Sequence, residues 1–168
     1  DDTLATFLTD TLGVVNDKKL DAWFGCNDLQ NGDNPGGTGT ATFDFTITGR
    51  SNIVIAIDMG AMGDFEVGGA TPDEHTFTAT VDGGTPITVF TIRTDEALAQ
   101  SYRLGSGTTV SLNDPVLVDG TTVLTNVLQT FSFPLGVNGN SLTLTYTARN
   151  DADEPFVFDN ILLYECAG

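Results

Sequence analysis

The stretch Thr40–Thr48, TATFDFTIT, decides the fold. Ala41, Phe43, Phe45 and Ile47 point to one side of an extended chain, and the intervening Thr and Asp point to the other. This period of two marks a strand with one wet face. The same alternation returns in HTFTATV (His75–Val81) and SLTLTYTAR (Ser141–Arg149). NIVIAIDMG (Asn52–Gly60) and ITVFTIR (Ile87–Arg93) are more continuously apolar, which places them centrally in a sheet, and LQTFSFPL (Leu128–Leu135) adds a further strand ended by Pro134. Threonine fills the outward positions, as a solvated sheet face prefers.

The punctuation agrees. Asp82-Gly83-Gly84 reads as a hairpin turn, because glycine tolerates the positive φ that tight turns demand, and Val137–Asn140 reads the same way before the Ser141 strand. One short helix is expected over 94–101 (TDEALAQS), with Thr94 as N-cap and Asp95 and Glu96 in its first turn. Asn31–Thr40 is a Gly-rich surface loop. Eight or so strands, almost no helix and no internal repeat predict a single all-β domain over 1–168. It would be a two-sheet antiparallel β-sandwich of jelly-roll topology that brings the first and last strands together. Residues 1–20 read as an N-terminal tail or exchangeable strand.

At 168 residues and 17.7 kDa the chain suffices for one domain with its own core. Its charge is extreme: 23 acids against 6 bases give −17. Such a surface repels nucleic acid and anionic lipid, and no apolar run is long enough to span a bilayer. Five of the acids are glutamate, leaving eighteen aspartates, many in Gly-, Asn- and Pro-rich turns. Asp is favoured there by local hydrogen bonding, and the same placement suits oxygen ligation of Ca2+; a solubilising surface for a salty habitat is the alternative. The two cysteines, Cys26 and Cys166, are expected to form a disulfide between the chain's ends, with two free thiols as the alternative. A disulfide implies an oxidising compartment. With an opening DDTLATF that reads as a mature product, it points to a secreted or cell-surface protein.

The final strand carries an oddity. FVFDNILLYE (Phe156–Glu165) is apolar on both faces except for Asp159 and Asn160, and burying an unpartnered carboxylate costs several kcal/mol. This ending resembles the last strand of calcium-binding jelly-roll modules, the carbohydrate-binding modules and related galactose-binding-like domains. The longer series IAIDMGAMGDFE, TATVDGG, ITVF, LNDP, LQTFSF and DNI is similar to modules of secreted proteins from marine bacteria, over Trp23–Tyr164. The resemblance implies a structural Ca2+ held at Asp159, with Glu66, Asp73 and Asp21 as its companions. A hydrogen bond to backbone amides is the other reading of Asp159, and solvated loop acids the other reading of Glu66 and Asp73. Asp151, Asp153 and Glu154 in RNDADEP form a second, weaker metal cluster, which lacks the full EF-hand loop pattern.

Catalytic signatures are sparse. The single histidine, His75, is placed on the Thr-lined surface of its strand. Neither His nor Cys clusters for zinc, and no Gly-rich phosphate loop precedes a helix. Asp58, Asp64 and Glu66 come nearest to a glycosidase pair, but Gly60 and Gly63 interrupt the strand between them. Trp23, beside Phe24, reads as a core plug rather than a sugar-stacking platform. The expectation is a non-enzymatic, calcium-stabilised structural or adhesive subunit that associates with itself or with other surface proteins, with a surface filament or matrix as the form of such an assembly. A carbohydrate-binding module that recognises polysaccharide is the first alternative, and a glycoside hydrolase or lyase the second.

Overall fold

The computed structural model describes residues 23–68, 72–151 and 154–166. The expected tail, 1–20, lies outside them. In chain order the strands are β1 (Phe24–Cys26), β2 (Thr38–Thr46), β3 (Ile53–Ala61), β4 (Glu74–Val81), β5 (Ile87–Thr94), β6 (Ala99–Arg103), β7 (Thr109–Asn113), β8 (Val116–Val118), β9 (Thr122–Val123), β10 (Gln129–Pro134), β11 (Ser141–Arg149) and β12 (Phe156–Glu165). They form a four-stranded sheet, β1-β12-β3-β10, a six-stranded sheet, β2-β11-β4-β5-β8-β9, and a separate β6-β7 hairpin, with all pairings antiparallel. The protein is a β-sandwich, and its first described strand pairs with its last.

The alternation read from the sequence builds the core. On β11, Leu142, Leu144, Tyr146 and Ala148 are buried while the threonines between them stay partly wet. Their partners on β4 are Val81, Ala79, Phe77 and His75. From the facing sheet, β3 contributes Ile53, Ile55, Ile57, Met59 and Ala61, and β12 contributes Phe156 and Phe158. β3 is buried at all nine positions because its other face is covered too. There Met62 and Val157 pack with Tyr102 and Leu104, next to Trp23, Val110 and Leu112. The β6-β7 hairpin therefore caps the outside of the four-stranded sheet, and the half-buried Trp23 belongs to this second cluster.

Three expectations are corrected. No helix forms at 94–101: Asp95 Oδ1 accepts from Ala97 N at 3.0 Å and closes a single turn, after which the chain extends into β6. A helix that short is marginal by itself, and pairing Ala99–Arg103 with Thr109–Asn113 buries Tyr102 to 1% exposure. Val137–Asn140 is not a hairpin turn but a crossing between the sheets, since β10 lies in one and β11 in the other. Nor is there a disulfide: Cys26 is buried opposite Phe156, at the start of β12, and Cys166 is exposed just past its end. A strand of that length separates them by roughly 30 Å, whereas a disulfide needs Cα atoms within about 7 Å.

Candidate metal centre

Two loops cross from sheet to sheet at the same end of the sandwich. Residues 62–73 run from β3 to β4, and residues 150–155 run from β11 to β12. Because β3 neighbours β12 and β4 neighbours β11, the two crossings lie side by side. They are stitched by backbone: Met62 N donates to Pro155 O at 3.1 Å, and a Cβ on Gly63 would stand 2.8 Å from Glu154 Cα. Only glycine permits that approach. Within the first loop, Asp73 N donates to Glu66 O at 2.8 Å and Glu66 N donates to Asp73 Oδ2 at 2.7 Å, which fixes the two acids beside each other. In the second, the fully buried Asn150 donates from Nδ2 to Glu154 O at 2.6 Å and accepts from Leu29 N at 3.2 Å.

The outcome is a cluster of four carboxylates, Glu66, Asp73, Asp151 and Glu154, each with an oxygen within 4.8 Å of the others. Glu154 is 6% exposed. Asp73 Oδ1 is buried and, among the described residues, has no hydrogen-bond partner. Lost hydration, a hydrogen bond with Asp73 and the charges of Asp73 and Asp151 push the Glu66 carboxyl up to about 7. Burial raises Asp73 as well. The nearby base does little to relieve this, because Arg149 spends Nε on Pro72 O at 3.0 Å and its Nη2 lies 3.8 Å from the exposed Glu74. Four converging acids, one buried oxygen that lacks a donor and raised protonation are what a cation-binding site shows before the ion is counted.

The structure thus merges halves of two expected sets. Glu66 and Asp73, from the set centred on Asp159, meet Asp151 and Glu154, from the set in RNDADEP. Asp21 and Asp153 lie outside the described residues. Asp159 is elsewhere: it sits on the outer face of β12 directly opposite Asp58 of β3, at a β-bulge between Asp159 and Leu162. Asn160 takes the extra position with φ of 50°, a conformation Asn tolerates better than other non-glycine residues. Its Nδ2 donates to Asp58 Oδ2 at 2.8 Å, and Thr130 Oγ1 donates to Asp58 Oδ1. The Asp-Asn pair thus shapes the bulge and satisfies a buried acid of the neighbouring strand.

His75 is also relocated. It is two residues before Phe77 and shares its inward side, so it is buried, stacked on Phe156 with ring centroids 4.4 Å apart. Its Nδ1 lies 2.9 Å from Tyr146 Oη, which in turn lies 3.1 Å from Cys26 Sγ. Burial pushes the His75 pKa down to about 3 and the Cys26 thiol up to about 11. No family model matches the chain, and no curated protein matches it in sequence.

Proposed function

We propose that the chain is a non-enzymatic extracellular β-sandwich, stabilised by Ca2+ bound to Glu66, Asp73, Asp151 and Glu154, that serves as a structural or adhesive subunit and associates with itself or with other surface proteins. The observation that carries the reading is the convergence of these four acids on adjoining sheet crossings. An all-carboxylate donor set favours a hard cation over zinc or copper. Backbone carbonyls and water would complete the six to eight oxygens that Ca2+ takes. The ion supplies charge neutralisation and a rigid link between the sheets, which suits a load-bearing module. The likeness to calcium-binding jelly-roll domains supports the same ion. The burial of the single histidine against Phe156 supports a non-catalytic role.

Electron microscopy of the native material with and without a chelator tests this. Polymers or cell-surface layers that disperse in EGTA are expected. Monomers that are indifferent to chelation and retained on a glycan column would replace the reading with carbohydrate binding.

A further inference from the structure

Among the described residues, β1 is shorter than the strand it pairs with. It covers only Phe156–Phe158 of β12, and burial follows that coverage: these three residues are buried, while exposure rises from Asp159 onward. Among the described residues, Asp159–Glu165 has β3 on one side and no strand on the other. Across the gap lies β2, the edge of the other sheet, whose inward Phe43 and Phe45 are only half-buried although their β11 partners Leu144 and Leu142 are fully buried. A cavity of about 280 Å³ opens there, lined by Phe24, Phe43, Phe45, Phe158 and Ile161, with Asp159 and Asn160 as its polar part. Such a groove beside an open edge offers backbone hydrogen bonds along its length and apolar contact at every second residue.

The geometry points to one occupant: we infer that the groove receives, as an added β-strand, Thr3–Thr9 of a second copy of this chain. This rests on the self-association proposed above and names its joint. TLATFLT is an uncharged run in a chain of net −17, flanked by Asp2 and Asp10, and it alternates Leu4, Thr6 and Leu8 with Ala5 and Phe7. Its seven residues match the seven of the open edge, 159–165. The residues directly before Trp23, DKKLDA, carry four charges in six and fit an apolar groove poorly. Fifteen residues separate Leu8 from Phe24, the groove's end, a reach of about 50 Å when extended. That spans from one sandwich to the next, and each subunit then both donates and accepts.

The test uses the full chain in three forms: native, Leu4→Asp/Leu8→Asp in the donor and Ile161→Asp in the groove. Sedimentation of the native chain in Ca2+ should show mass rising with concentration well beyond a dimer. Each variant alone should stay monomeric, and an equimolar mixture should stop at 1:1 pairs, since only one joint per pair is intact. Native-like circular dichroism qualifies the Ile161→Asp form; the donor variant alters residues upstream of every described strand and decides the matter alone if the other does not fold. A donor variant that assembles like the native chain overturns the inference and leaves the assembly reading standing. A native chain that stays monomeric, and whose melting temperature falls in the donor variant independently of concentration, means that the chain fills its own groove and overturns it too. A native monomer unaffected by the donor substitutions overturns both.

Discussion

Removing the cation should weaken the fold by an amount the cluster itself sets. Four carboxylates make six pairs, and two full charges at 4.8 Å repel by about 3.5 kcal/mol at an effective dielectric near 20. The sum, about 20 kcal/mol, exceeds the 5–15 kcal/mol by which a domain is stable. Solvent reaching Glu66 and the partly exposed Asp151 screens much of it, but even a third is comparable with the stability of the whole fold. Holding four charges together here without a cation is therefore costly to the fold. Ca2+ at a hundred times its Kd should add about 2.7 kcal/mol, or about 5–11 °C in melting temperature for a chain of this size. Scanning calorimetry at pH 7.5 in EDTA and in Ca2+ reads the shift. Asp73→Asn sharpens the test, since its amide can still accept from Glu66 N while removing three of the six repulsions. It should raise the melting temperature in EDTA and abolish most of the Ca2+ response. A shift below about 1 °C in millimolar Ca2+, or an Asp73→Asn protein that responds as fully as the native one, would refute the reasoning.

Further outcomes follow from the same contacts. Without metal, Glu66 has a folded pKa near 7, above its ordinary 4.5, so the folded state holds the extra proton and stability should fall as pH rises from about 4.5 through 7. His75 acts oppositely: with a folded pKa near 3 against 6.5, stability should fall as pH drops below 6.5, by about 1 kcal/mol in the first unit and about 1.4 kcal/mol in the next. Chemical denaturation across pH 4–8 in EDTA, with Glu66→Gln and His75→Gln, separates the two slopes. Iodoacetamide should label Cys166 in the native protein and Cys26 only after unfolding, and dithiothreitol should leave the melting temperature unchanged. Asn160→Ala puts a Cβ-bearing residue without a side-chain donor at φ of 50° and removes a hydrogen bond from Asp58, so a loss of about 2–3 kcal/mol in urea denaturation is expected.

The layers of this fold were legible because period-two alternation is a local property: Ser141–Arg149 carries its own inside and outside, and the strand was found where it was read. Apart from His75, its failures are those of residues whose meaning depends on a distant partner. TDEALAQS satisfies every local rule for a helix, but the pairing that claims Ala99–Arg103 comes from Thr109–Asn113. His75 needed no distant information at all, only its parity with Phe77. The candidate site lies between these cases. That acids of the 62–73 and 150–155 loops belong together follows once β3 is known to neighbour β12 and β4 to neighbour β11, because two crossings between the same pair of strand neighbours must run alongside each other. The sequence shows each loop as a cluster of solvated acids and cannot show the adjacency. Asp159 drew attention for a sound reason, a carboxylate in an apolar strand, but that reason assumed the strand was buried along its whole length. Among the described residues β1 spans only Phe24–Cys26, so burial stops at Phe158, and the acid stands where none of the described strands continues the pairing. Asp159 therefore stands opposite Asp58 at the bulge, at the start of the edge that the proposed donor strand would cover.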